Sequence, residues 1–110
     1  MRKISKLAAR AFIEGRNFNR DNTEVVVHAT ILGKRKELRL HSNVIARQTS
    51  NQPLKITLAG WGTPTTRERL NTLLTETGKR EGVWQHNHDQ YYGTHDDNRV
   101  ISASEWITVT

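Results

Sequence analysis

The chain has 110 residues, no cysteine and a formal net charge of +6 at pH 7. A length of this order builds one modest hydrophobic core in a single domain, and the lack of thiols excludes disulfides and thiolate metal sites while suiting a reducing, intracellular setting. No apolar run approaches the roughly 20 residues that cross a bilayer, which predicts a soluble protein.

The opening Met1-Arg2-Lys3-Ile4-Ser5-Lys6-Leu7-Ala8-Ala9-Arg10 has the positive flank of a signal peptide, but Lys6 and Arg10 interrupt it before an apolar core develops. It reads instead as a helix of the mature protein. From residue 4 to about 14, Ile4, Leu7, Ala8, Ala11 and Phe12 fall on one arc at about 100° per residue, and Gly15 follows as a break. The opposite arc carries Arg2, Lys3, Lys6 and Arg10. Asn17 to Asn22 reads as a polar loop.

From Thr23, the run Glu24-Val25-Val26-Val27-His28-Ala29-Thr30-Ile31-Leu32 is rich in β-branched residues and predicts a strand. Gly33-Lys34-Arg35-Lys36 reads as a turn. Glu37-Leu38-Arg39-Leu40-His41 then alternates strictly, with Leu38 and Leu40 inward and Glu37, Arg39 and His41 outward. Beyond a polar kink at Ser42-Asn43, Val44-Ile45-Ala46 makes a further strand, Gln48 to Pro53 a turn region, and Leu54-Lys55-Ile56-Thr57-Leu58 alternates again. Short strands joined by short turns imply an antiparallel meander, since parallel pairing needs longer crossovers.

Gly60-Trp61-Gly62-Thr63-Pro64-Thr65-Thr66-Arg67-Glu68-Arg69-Leu70-Asn71 joins a strand exit to a helix start. Thr65 at the N-cap with Glu68 three residues on matches a capping box. Leu70, Leu73 and Leu74 follow at helical spacing, and Gly78 stops a helix of about Thr66 to Thr77. Gly82-Val83-Trp84-Gln85-His86 predicts another strand, and a polar tract separates it from Val100-Ile101 and Trp106-Ile107-Thr108-Val109.

Two amphipathic helices and a sheet with one apolar face bury each other. The expected fold is therefore α+β: an antiparallel meander with an N-terminal helix and a second, central helix on one face, in the order α-β-β-β(-β)-α-β-β. It forms one domain over residues 1–110, with a polar insertion loop at about 86–104 and with Trp61, Trp84 and Trp106 in the core.

Residues 1 to 40 hold ten Lys or Arg against four acids, while residues 41 to 110 hold seven of each sign. So lopsided a charge favours a polyanionic partner. The candidate surface has two parts: Arg2, Lys3, Lys6 and Arg10 on the first helix, and Lys34, Arg35 and Lys36 at a hairpin tip with Arg39 beside it. Such ridges grip phosphates with salt-sensitive affinity and little sequence information.

Other constellations are weaker. His86, His88 and His95 lie in a tract with Asp89, Asp96 and Asp97, and on a strand His86 and His88 share a face, with His95 or Asp97 as a third ligand. Polar loops gather these residue types for turn formation and solvation, so no metal site and no cofactor is expected. The letters His-Asn-His are not the nuclease motif of that name, which spreads its residues over a ββα unit. Ser, His and Asp occur without a nucleophile elbow, and Gly60-Trp61-Gly62 lacks the lysine and spacing of a phosphate loop. No catalytic residues are assigned.

Leu40-His41-Ser42-Asn43-Val44-Ile45-Ala46, then Leu54-Lys55-Ile56 leading into the Gly60 to Asn71 segment, resembles a widespread group of small accessory proteins encoded by tailed bacteriophages. The resemblance covers residues 1 to about 86. The group is defined by sequence and not by an agreed activity, so it carries over no catalytic residues. Its members finish with a Trp-bearing strand, a tight Asn-Gly turn and a second Trp; here Val83-Trp84 and Glu105-Trp106 suit the strands, with Gln85 to Ser104 in place of the turn. The resemblance implies a non-enzymatic phage accessory protein acting by binding in the host cytoplasm, without membrane attachment, and the basic first forty residues make nucleic acid its favoured partner. The alternatives are a host-takeover or counter-defence protein that grips an acidic bacterial protein, and a metal-dependent enzyme using His86, His88 and His95.

Overall fold

Alternation along the early strands places every second side chain on one side, and in a computed structural model, which describes residues 2–110, antiparallel pairing brings those positions into register. One row crosses from Val25 through Leu38, Ala46 and Ile56 to Ile107, each residue opposite the next. The row belongs to a six-stranded sheet in the order β1-β2-β3-β4-β5-β9. Its strands are β1 (Phe18–Arg20), β2 (Thr23–Thr30), β3 (Gly33–Leu40), β4 (Asn43–Thr49), β5 (Leu54–Ile56) and β9 (Ile107–Val109). A register shift between Leu38 and Arg39 gives β4 one residue more than its partner, and adjacent Ile45 and Ala46 are both buried there.

Two helices cover the apolar side, α1 (Lys3–Glu14) and α2 (Pro64–Glu76). α1 ends as expected at Gly15, left-handed at φ 70. Its buried face is rotated from the expected arc: Ser5 and Ala9 are buried, and Ile4 and Leu7 only half-buried. Small side chains let α1 approach α2, and Ser5 Oγ donates to Glu68 across the contact. That bond belongs to a network in which Arg69 donates to Thr23 Oγ1 at 3.0 Å and to Ser5 Oγ at 2.8 Å, while Thr72 donates to Glu68 at 2.9 Å. Buried polar groups are tolerated where they are paired in this way.

The capping box expected at Thr65 does not form, and the N-cap lies two residues earlier. Thr63 is the N-cap, its Oγ1 accepting from the Thr66 N–H at 3.2 Å, and Pro64 takes the first helical position, where its missing N–H costs nothing. Glu68 is drawn to Ser5, Arg69 and Thr72 in place of the helix start.

Several loops prove to be strands. The polar loop Asn17 to Asn22 contains β1, and Gly33 to Lys36 opens β3, so the hairpin turn is Ile31-Leu32. The expected insertion loop at 86–104 is largely a three-stranded antiparallel sheet of β6 (Gly82–His86), β7 (Asp89–Gly93) and β8 (Asn98–Ile101). Its tight turn is Asn87-His88, at φ 49 and 69, the paired positive angles of a two-residue hairpin. β6 therefore pairs with β7, and the segment after Trp106 pairs with β5. Val83 and Ile101 join this small sheet to the same apolar cluster as Phe12, Leu38 and Leu70.

The tryptophans do not fill the core. Trp61 is 59 % exposed and Trp106 39 % exposed. Trp84 is half-buried and stacks on Tyr91 at 5.7 Å between ring centroids. Leucine, isoleucine, valine, alanine and Phe12 make the core instead.

Candidate nucleic-acid interface

Because both helices lie on one side of the six-stranded sheet, the alternate residues of its strands face outward. The register sets Glu24 opposite Arg39, His28 opposite Arg35, Glu37 opposite Arg47, and Arg47 opposite Lys55. Four permanent cations, Arg35, Arg39, Arg47 and Lys55, thus share a face with two carboxylates, Glu24 and Glu37.

Glu37 holds the centre. Arg39 donates to its Oε1 at 2.6 Å, His28 Nε2 lies 3.2 Å from the same oxygen, and Arg35 Nε lies 3.5 Å from Oε2. Burial pushes the Glu37 carboxyl up, but hydrogen bonds and charge from Arg39 and His28 outweigh it and hold the group below the usual carboxylate value. The guanidinium of Arg47 stands 4.3 Å from the Trp106 ring centroid. The indole is thereby aligned beside a fixed cation at the sheet surface.

The eight basic residues expected at the interface divide between surfaces. Arg35 and Arg39 are on the open sheet face. Lys36 has the opposite parity: its Nζ stands 5.0 Å above the Phe12 ring, and burial lowers its pKa. Lys34 is exposed near the start of β3, two residues beyond Ile31-Leu32. Arg2, Lys3, Lys6 and Arg10 are exposed on or beside α1, and Arg10 also lies 3.5 Å from Glu76. The helix group and the Arg35–Arg39 group are on opposite sides of the sheet.

Sequence reading missed Arg47, Lys55 and Trp106. Alternation in Leu54-Lys55-Ile56 was the available signal for Lys55. At Arg47 the bulge breaks alternation, so only strand pairing places that residue beside Glu37. His86, His88 and His95 are exposed, and among the described residues no group of three or more His, Cys, Asp or Glu converges as metal ligands. No helix among them is long and apolar enough to cross a membrane.

The family model described as Kyanoviridae Gp96 protein matches residues 1–110, the whole length of the chain, and the chain belongs to this phage protein family. No curated protein and no solved structure matches it.

Proposed function

We propose that this member of the Kyanoviridae Gp96 family is a non-enzymatic accessory protein that binds nucleic acid in the cytoplasm of the infected bacterium. The observation that carries the reading is the uncovered sheet face, where Arg35, Arg39, Arg47 and Lys55 lie in cross-strand register with Trp106 against Arg47. A flat cationic surface offers a phosphate backbone several contacts at once, and an exposed indole offers one base a stacking partner. Charge supplies most of such affinity and carries little sequence preference.

Fluorescence anisotropy with labelled duplex and single-stranded DNA and RNA, repeated across ionic strengths, tests this. With four phosphates engaged on a duplex, the slope of log affinity against log salt lies near −3 to −4, at about −0.9 per contact. Arg47→Glu with Lys55→Glu abolishes binding, whereas Lys3→Glu with Lys6→Glu changes it little. Failure to form any complex at low salt overturns the reading. Capture of a stoichiometric bacterial protein that survives nuclease treatment would transfer the same cations to an acidic host partner.

A further inference from the structure

Two apolar features lie at opposite ends of β3. At one end Ile31 and Leu32 form the turn into the strand, at positions where hairpins favour Asn, Asp or Gly. Ile31 is fully exposed and Leu32 73 % exposed. The turn is well tied: Thr30 Oγ1 donates to the Gly33 carbonyl at 2.6 Å and accepts from the Leu32 N–H at 3.2 Å. Gly33 has φ 115, and a Cβ there would fall 2.6 Å from Ser50 Oγ. The tip is therefore an ordered aliphatic knob, with Lys34 and Arg35 just behind it.

At the other end, where His41-Ser42 turns the chain into β4, Leu40, Ile45, Leu58 and Trp61 wall a cleft of about 400 Å³. A polar hollow of about 300 Å³ adjoins it, sharing His41 and lined in part by Asp21 and Glu24. The eight residues of β3 set tip and cleft roughly 25 Å apart, at about 3.4 Å per residue.

We propose that the Ile31–Leu32 tip of one copy enters the Trp61 cleft of a second copy, joining copies head to tail. The match is one of polarity and charge together. Two aliphatic side chains leave water for a cleft of a size that ordinarily holds a small apolar ligand. Lys34 behind the tip then faces Asp21 beside the cleft, a pair of opposite charges, both exposed, that fixes orientation. Tip and cleft are different surfaces, so pairing two copies leaves a free tip at one end and a free cleft at the other, and assembly continues past the dimer. One tip buries far less than the roughly 1,200 Å² of a stable interface. Association is accordingly weak, rising with concentration and falling with salt.

Sedimentation velocity on the full chain, from micromolar to millimolar concentration, tests the proposal. Wild type shows a rising weight-average mass. Ile31→Ser with Leu32→Ser, and separately Trp61→Ala, weaken association at least tenfold; both sites are exposed, and circular dichroism verifies the fold. An equimolar mixture of the two variants forms one-to-one dimers and nothing larger, because just one intact tip and one intact cleft remain in each pair. Wild type that stays monomeric at millimolar concentration overturns the proposal, including the case in which the tip partitions into anionic vesicles. So does a tip variant that still assembles, or a mixture that stays monomeric while wild type assembles.

Discussion

Asn71 and Val83 exchange two hydrogen bonds, the Asn71 Nδ2 donating to the Val83 carbonyl at 2.9 Å and the Val83 N–H donating to Asn71 Oδ1 at 2.8 Å. A side-chain amide on α2 thereby pairs with the free edge of β6 as a neighbouring strand would. The small sheet is docked to the body through this pairing and through Arg67, which donates to Gln85 and Gln90, each at 3.1 Å.

Asn71→Leu keeps the bulk and removes both bonds, leaving a buried N–H and a carbonyl unpaired. The expected cost is roughly 2–4 kcal/mol, from the desolvation penalty of each orphaned group. Urea denaturation measures the loss, and hydrogen exchange localises it as faster exchange in β6, β7 and β8.

The Glu68 network makes stability depend on acid. Burial alone would raise the Glu68 carboxyl, but hydrogen bonds from Ser5, Thr72 and Arg69, with the Arg69 charge, hold it below the ordinary value, and Glu37 is lowered as well. A carboxyl depressed in the folded state contributes stability above its unfolded value of about 4.3, and that contribution is lost as pH falls through the lower folded value. Melting temperature is therefore flat near neutrality and drops below about pH 4. Glu68→Ala, which strips a carboxylate from the buried Arg69 guanidinium, costs roughly 3–5 kcal/mol at pH 7 and flattens part of the acid dependence.

Thr63, and not Thr65, caps α2. Thr63→Ala is expected to cost about 1 kcal/mol, while Thr65→Ala stays within about 0.5 kcal/mol. A pair of thermal denaturation curves separates the two; equal losses would return the cap to Thr65.

Glu37 competes with any polyanion for Arg35 and Arg39. Glu37→Gln lowers stability by weakening the pairing of the half-buried Arg39 and the exposed Arg35, and raises nucleic-acid affinity several-fold at low salt because those groups turn to phosphate. Arg47→Ala makes the salt slope shallower by about one unit on duplex. Anisotropy titrations of both variants, run beside wild type, read the two effects.

The sequence by itself determined the α+β class, both helices, the Gly15 break, the inward Leu38 and Leu40, and membership of a phage family through the Gly60 to Asn71 segment. These follow from short-range periodicity and local backbone chemistry. The cap lies at Thr63 and not Thr65 because Pro64 takes the first helical position, and no capping box closes because Glu68 has a partner in α1, 63 residues distant. Tertiary structure alone decided that the late polar tract forms a sheet, since β7 and β8 are mostly polar and bury only the side chains of Gln90 and Ile101. It also decided which cations meet: Arg47 and Lys55 join Arg35 and Arg39 because strand pairing carries them across the sheet, while Lys36 turns to Phe12. The tryptophans stayed at the surface because branched aliphatic side chains in cross-strand register had already filled the space between sheet and helices.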